Sequence, residues 1–153
     1  MTLDRALDLE LDSAEATARL GAQIARALKP GDAILLSGGL GAGKSTLARG
    51  LVRALTSPDE EAPSPTFTLV QTYDGDPPVA WFDLYRLSGP REVYELGFDE
   101  ALDEGAVVVE WPQRLGARLP PDRLDIELAG SGDRRSARLT PHGSWKGRKL
   151  GGA

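Results

Sequence analysis

Residues 38–45 match the pattern G-x-x-x-x-G-K-[ST] of a phosphate-binding loop. Their sequence is Gly38-Gly39-Leu40-Gly41-Ala42-Gly43-Lys44-Ser45. Glycines in such a loop let successive backbone N–H groups curl around an anion, which a Cβ at those positions would obstruct. Lys44 can bring a positive charge to the β- and γ-phosphates of a nucleotide, and the Ser45 hydroxyl can bind Mg²⁺. The stretch therefore predicts a site for nucleotide phosphates.

The residues on either side of this loop have the patterns of a strand and a helix. The apolar run 33–36 is typical of a strand buried in a parallel sheet. Residues 47–55 carry apolar side chains at helical spacing, and the positive end of that helix dipole would favour a bound phosphate. A Gly-rich turn that binds nothing is the alternative, but such a turn has no use for Lys44 and Ser45 at this register.

The composition is that of one soluble domain with an acidic balance. The chain has 153 residues, a net charge of -5 and no cysteine, which excludes disulfides and thiolate metal sites. Its first residues lack the basic and apolar regions of a signal peptide, and no apolar run approaches the roughly 20 residues that span a bilayer. We therefore expect a cytoplasmic protein without a membrane segment. The negative charge argues against a broad nucleic-acid-binding face on this chain alone.

The order of the predicted strands and helices indicates an α/β fold. We expect a three-layer α/β/α sandwich with a mostly parallel sheet and added antiparallel strands. The prediction is a single domain over residues 1–142 and a flexible tail over 143–153, which is rich in Gly and Lys. The predicted elements are strands at 7–11, 33–36, 106–109, 124–128 and 136–139, a hairpin of 66–73 with 79–83, and helices at 13–28, 47–55 and 91–102, with 124–128 and 136–139 as the antiparallel additions.

Two acidic residues end predicted strands, where a carboxylate could reach a metal ion beside the loop. Glu110 follows the apolar run 107–109 as a Walker-B acid would, and Asp83 follows the run 79–82. Mg²⁺ near the Ser45 hydroxyl needs such a carboxylate, and the carboxyl end of a buried strand is its usual place. The alternatives are a strand-end acid facing water for Glu110 and a helix N-cap for Asp83.

Thr66 follows the long polar and Pro-rich loop 56–65, a type of loop that is often functional. Its hydroxyl could reach Mg²⁺ or the γ-phosphate and order the loop as switch segments do, or it could simply begin a strand. Trp81 and Trp111 are expected to pack, and His142 is not expected to be catalytic. The candidates for a transition-state or adenine contact are Arg86, Arg91, Arg134, Arg135 and Arg138, each of which alone is more often a surface cation.

Four motifs occur in the order seen in the TsaE (YjeE) family of small bacterial ATPases, which the chain resembles over about residues 7–140. The first motif is shared by many nucleotide-hydrolysing proteins, whereas the other three in combination are highly specific. The motifs are Gly38-Gly39-Leu40-Gly41-Ala42-Gly43-Lys44-Ser45-Thr46, Ser64-Pro65-Thr66-Phe67-Thr68-Leu69-Val70, Phe82-Asp83-Leu84-Tyr85-Arg86-Leu87 and Val109-Glu110-Trp111-Pro112.

The resemblance implies a P-loop NTPase fold and a subunit that binds and slowly hydrolyses ATP. It implies a role in making threonylcarbamoyladenosine, the modified adenosine beside the anticodon of certain tRNAs. The implied cofactors are ATP or ADP with Mg²⁺, and the implied partners are the proteins TsaB and TsaD. The transfer itself would take place on TsaD, and tRNA would be reached only through the complex.

The resemblance also implies roles for individual residues. Lys44, Thr66 and Asp83 are the catalytic candidates, with Thr66 and Asp83 in segments treated as switches, and Ser45 and Glu110 are the implied Mg²⁺ ligands. The implied nucleotide-binding residues are Gly39, Leu40, Gly41, Ala42, Gly43, Lys44, Ser45, Thr46 and Arg135, the last lying where the family has an Arg near the base.

Two positions depart from the family pattern. Gly39 stands where the family commonly has Asp, which leaves the phosphate nest intact but removes a carboxylate. Trp81 stands where the family commonly has His, which removes a group that could relay a proton.

Other functions remain as alternatives at this point. A small metabolite kinase of shikimate-kinase type is the main one, because a similar loop opens such folds. A kinase of this type needs an acceptor pocket and usually an Arg-bearing lid, but the sequence after Glu110 predicts two strands and no lid helix. A GTPase is less favoured because no N-K-x-D segment occurs. A binding module that holds ATP only as a structural ligand stays open.

Overall fold

The computed structural model describes residues 1–132 and 134–151, which form a mixture of strands and helices. The strands are β1 (Leu7–Leu11), β2 (Ala33–Ser37), β3 (Val70–Tyr73), β4 (Val79–Asp83), β5 (Ala106–Glu110), β6 (Arg123–Ser131) and β7 (Arg134–His142). The α-helices are α1 (Ala14–Ala27), α2 (Lys44–Leu55), α3 (Pro90–Glu95) and α4 (Phe98–Glu104), and Pro112–Leu115 and Gly143–Trp145 form short 3₁₀ turns.

All seven strands form one sheet in the order β1-β7-β6-β2-β5-β4-β3. The central strands β6, β2, β5 and β4 run parallel, while β7 pairs antiparallel with β6, β1 pairs antiparallel with β7, and β3 pairs antiparallel with β4. The predicted fold class is therefore confirmed. The prediction that the strand over 124–128 is an antiparallel addition is corrected. This strand is β6, and it pairs in parallel with β2, where Ala33 lies opposite Arg123. Its pairing with β7 alone is antiparallel.

Helices cover both faces of the sheet at β2, β5 and β4, which is why these three strands are apolar up to their last residue, whereas β6 alternates between buried and more exposed residues. Ile34 and Leu36 of β2 belong to the cluster packed under α1 and α2, and Ala33 and Leu35 belong to the cluster packed under α3 and α4. Within the described part of the chain, no helix has the length and apolar character that crossing a membrane requires.

Helix α2 is held in place by close packing against α1. A Cβ added at Gly21 would lie 2.2 Å from the Leu47 carbonyl oxygen, and one at Gly50 would lie 2.3 Å from the Ala18 carbonyl oxygen. Ser13 caps the start of helix α1, because its side chain accepts the Ala16 N–H at 3.1 Å. The two helices thus form a rigid support for the loop that precedes α2.

Two predicted elements are shortened or divided in the structure. The strand expected over 66–73 begins only at Val70, because residues 66–69 form a turn in which Leu69 has a φ of 72°. The helix expected over 91–102 is divided into α3 and α4 by Gly97, whose φ of 84° lies in the left-handed region. Both breaks depend on backbone angles that apolar periodicity does not report.

The prediction of a flexible tail from Gly143 is wrong for the described residues of that segment. Trp145 and Leu150 are fully buried in the core cluster, and Lys149 forms a β-bridge with Thr2. Burial of these apolar side chains stabilises the segment, although the surrounding residues are rich in Gly and Lys. Residues 152–153 of the predicted tail lie outside the described part of the chain.

The tail is also fixed by a buried ion pair between Arg148 and Asp32. Nη2 of Arg148 donates to Oδ1 of Asp32 at 3.0 Å, Nη1 donates to Oδ2, and the Lys29 N–H also reaches Oδ2 at 2.7 Å. Asp32 is only 2% exposed, so its carboxylate depends on these donors.

We expect Arg148→Met to lower the free energy of unfolding by about 3 kcal/mol, because it leaves the Asp32 carboxylate buried without its charged partner. Urea denaturation followed by circular dichroism measures this loss. The matched control is Arg138→Met, which breaks an exposed pair with Asp8 and should leave the midpoint nearly unchanged. Equal midpoints for the two variants would contradict the assignment of Arg148 as the anchor.

Candidate nucleotide site

The phosphate-binding loop adopts the curled form that its glycines allow. Gly41 and Gly43 have φ angles of 76° and 102°, in the left-handed region that side chains disfavour. At Gly38 a Cβ would lie 2.4 Å from the Leu128 carbonyl oxygen, so that position also requires glycine for space. Helix α2 begins at Lys44, directly after Gly43, so its N-terminal N–H groups lie at the end of the loop.

Lys44 is enclosed under the loop. Its Nζ donates to the Gly38 and Gly39 carbonyl oxygens at 2.7 and 2.8 Å, and it lies 4.4 Å from the centre of the Trp111 ring. Burial lowers the pKa of Lys44, while the nearby carboxylates of Glu110 and Asp83 act in the opposite direction. The ammonium group is thus positioned at the loop by main-chain oxygens and an aromatic face.

Glu110 lies at the carboxyl end of β5 and is almost fully buried, which is contrary to the alternative of a strand-end acid facing water. The Ser45 hydroxyl donates to its Oε2 at 3.3 Å, and Nε1 of Trp81 donates to the same oxygen at 2.8 Å. Burial raises the pKa of Glu110, and the hydrogen bond from Trp81 opposes that effect. Trp81 therefore packs as expected, but it also orients the Glu110 carboxylate, a role that the sequence pattern does not predict.

Asp83 and Thr66 form a second polar group beside Glu110. Asp83 lies directly opposite Glu110 in the pairing of β4 with β5. Thr66 Oγ1 donates to Asp83 Oδ2 at 3.3 Å and lies 3.0 Å from the Ser64 hydroxyl. Neither local alternative holds, since Thr66 lies in a turn before β3 and Asp83 bonds the Tyr85 N–H at 3.0 Å without starting a helix there.

These residues line one open cleft of about 450 Å³. Of the predicted nucleotide-binding residues, Gly39 alone is not among the lining residues, and its carbonyl instead holds Lys44. Ser64, Tyr85 and Trp111 were not predicted as site residues, although all three lie in the quoted motifs. The complete lining is Leu40, Gly41, Ala42, Gly43, Lys44, Ser45, Thr46, Ser64, Thr66, Asp83, Tyr85, Glu110, Trp111 and Arg135.

Among the five arginines considered, Arg135 is the one that reaches the cleft. Its guanidinium group bonds the carbonyl oxygens of Gly41 and Ala42. Arg91 instead pairs with Glu95, and Arg138 pairs with Asp8. His142 bonds Asp125 of the neighbouring strand at 3.0 Å and does not line the cleft.

The comparisons with known proteins agree on one family. The family described as "Threonylcarbamoyl adenosine biosynthesis protein TsaE" matches residues 11–138, a range that includes every residue of the cleft.

The chain belongs to the TsaE family.

Relatives named "tRNA threonylcarbamoyladenosine biosynthesis protein TsaE" support this over most of their length. The chain is 40% identical to the protein of Rickettsia conorii over 77% of this chain and 68% of that one. It is 38% identical to the Nostoc protein over 92% and 90% of the two chains. The crystal structure of Bacillus subtilis YdiB superposes with a TM-score of 0.74 at 31% identity and covers 94% of this chain and 89% of that one.

Membership in the TsaE family confirms the resemblance that the four sequence motifs indicate. It places the chain in the biosynthesis of tRNA threonylcarbamoyladenosine. It also confirms the fold, since the similar solved structure spans nearly the whole chain. The roles of individual residues at the cleft stay predictions.

The buried carboxylate of Glu110 gives a prediction about stability and pH. Because burial raises its pKa above the ordinary value near 4.5, the folded chain binds this proton more tightly than the unfolded chain does. Ionised Glu110 therefore lowers the stability of the nucleotide-free chain as the pH rises above about 4.5. We expect Glu110→Gln to unfold at higher urea concentration than the unmodified chain at pH 7.5 in EDTA, with the difference vanishing near pH 4.

The control for this measurement is Glu10→Gln, at an exposed position of β1. It should show no such pH-dependent gain. A Glu110→Gln variant that is no more stable than the unmodified chain at pH 7.5 would show that the Glu110 carboxylate carries no net burial cost.

Proposed function

We propose that this chain is an ATP-binding and slowly ATP-hydrolysing accessory subunit, acting in the cytoplasm, for the threonylcarbamoyl modification of tRNA. The observation that carries the proposal is the convergence of Lys44, Ser45 and Glu110 at one end of the parallel sheet. Lys44 supplies the charge for phosphates, while Ser45 and Glu110 offer two oxygen ligands that already contact each other at 3.3 Å. This is the donor set that a magnesium-bound nucleoside triphosphate requires.

The cleft fits Mg²⁺ held together with a nucleotide better than a metal bound by protein alone. Within residues 1–132 and 134–151, no three His, Cys, Asp or Glu side chains lie close enough together to hold a metal ion. Mg²⁺ commonly uses one or two protein oxygens and takes its other ligands from phosphates and water. Ser45 and Glu110 would hold the ion in this way, and the ion would neutralise charge on the phosphates.

Asp83 and Thr66 are proposed to act on the open side of the phosphates. ATP supplies the phosphoryl group in this proposal, and the chain's own residues bind and orient it. The Thr66 hydroxyl connects the loop 56–65 to Asp83, so a change at the γ-phosphate could alter the position of that loop. The carboxylate of Asp83 is suited to orient water because it accepts hydrogen bonds.

The proposed partners are the proteins TsaB and TsaD, with tRNA reached through their complex. The support is the negative charge of the chain, -5, which favours protein contact over direct binding of tRNA. Two large apolar side chains are exposed near the cleft, Leu40 on the phosphate-binding loop at 78% and Phe67 in the motif around Thr66 at 82%. We propose that these two side chains contact the partner proteins.

We expect Lys44→Ala to weaken ATP binding about 100-fold, because it removes the charged donor to the phosphates. Isothermal titration with MgATP measures the change, and Lys29→Ala, at an exposed position before β2, is the matched control. ATP affinity that is the same in Lys44→Ala and in the control would show that the loop does not bind the phosphates.

We expect Glu110→Ala to bind ATP with at most a severalfold loss in affinity but to lose nearly all turnover, because the phosphate loop stays intact while a metal ligand is removed. Phosphate release and titration on the same preparation measure both quantities. Unchanged turnover in this variant would instead favour a binding module that holds ATP as a structural ligand.

A further inference from the structure

Arg135 lies at the phosphate-binding loop although it comes from β7, at the other end of the sequence. Its Nη2 donates to the Gly41 carbonyl oxygen at 2.7 Å, and its Nε donates to the Ala42 carbonyl oxygen at 2.8 Å. Nη1 donates to the Arg134 carbonyl oxygen at 3.1 Å. Three of the five N–H donors of the guanidinium group are therefore used on main-chain oxygens.

Two of these bonds orient consecutive peptide units of the loop. In a trans peptide the C=O and the following N–H point in opposite directions. Because the carbonyls of Gly41 and Ala42 point to Arg135, the N–H groups of Ala42 and Gly43 point away from it. The Ala42 N–H meets the Gly39 carbonyl oxygen at 3.2 Å, which closes the curl of the loop.

Gly43 provides the space for this contact. A Cβ added there would lie 3.3 Å from Nε of Arg135 and 3.7 Å from its Cδ and Cγ. The side chain of Arg135 therefore lies directly along Gly43, the residue that precedes α2. The planar guanidinium group lies against Gly43 and donates two hydrogen bonds in a fixed geometry. A lysine ammonium group could not replace it, because lysine has no pair of donors in fixed geometry.

We propose that Arg135 is a positioning residue that fixes the peptide units of the phosphate-binding loop, so that it acts on phosphate binding and not on recognition of the base. The inference rests on the proposed binding of ATP. It replaces the expectation from the sequence that Arg135 lies against the nucleotide base.

The test is isothermal titration of the full chain with MgATP and with Mg²⁺ and inorganic tripolyphosphate, which has no base. Arg135→Lys keeps the positive charge but loses the bidentate fork. We expect it to bind both ligands about tenfold more weakly, by the same factor. Arg134→Lys, at the exposed neighbouring position, is the control and should bind as the unmodified chain does.

A loss of ATP affinity with unchanged tripolyphosphate affinity would overturn the proposal, because it would assign Arg135 to the base. Unchanged affinity for both ligands would also overturn it. If the unmodified chain bound neither ligand, the proposed function itself would fail, and this outcome is distinct from the other two.

A second measurement tests the loop directly in the nucleotide-free chain. Hydrogen exchange at the Ala42 amide should become about tenfold faster in Arg135→Lys, while amides of α1 keep their rates, because only the loop loses its support. Equal exchange of Ala42 in the variant and the unmodified chain would contradict the proposal, whatever the overall stability of the variant.

Discussion

The parallel pairing of β2, β5 and β4 sets the positions of Lys44, Glu110 and Asp83 in the site. Leu36 of β2 lies opposite Glu110 of β5, and Glu110 lies opposite Asp83 of β4. Because parallel strands end at the same edge of a sheet, the loop after β2 meets both carboxylates there. Moving either strand by one residue would turn its acid to the other face, so the site depends on this register.

The same register brings together two charged side chains, Lys44 and Glu110, whose burial costs free energy. Lys44 and Glu110 are each at most 5% exposed, and their pKa values are shifted in the directions that burial imposes on a cation and an acid. Trp81, Ser45 and the loop carbonyls offset part of this cost through hydrogen bonds. Close packing of α1 on α2 fixes the helix that begins at Lys44.

Local sequence signals were sufficient for much of the fold and for the centre of the site. The phosphate-binding loop, Glu110 and Asp83 could be predicted because each follows an apolar strand. Contacts between distant segments could not be predicted in this way. The hydrogen bonds of Trp81 to Glu110 and of Arg135 to the loop depend on strand order and side-chain direction. The burial of Trp145 depends on whether the folded core has space for its ring, and amino-acid composition does not reveal that.

ATP turnover at this cleft is proposed to support tRNA modification that is carried out on partner proteins. The most direct measurement is reconstitution with TsaB and TsaD, in which modified tRNA is counted per complex with the unmodified chain, with Glu110→Gln and with no addition. We expect many modified tRNAs per complex with the unmodified chain and about one or fewer in the other two reactions. Equal yields in all three reactions would contradict it.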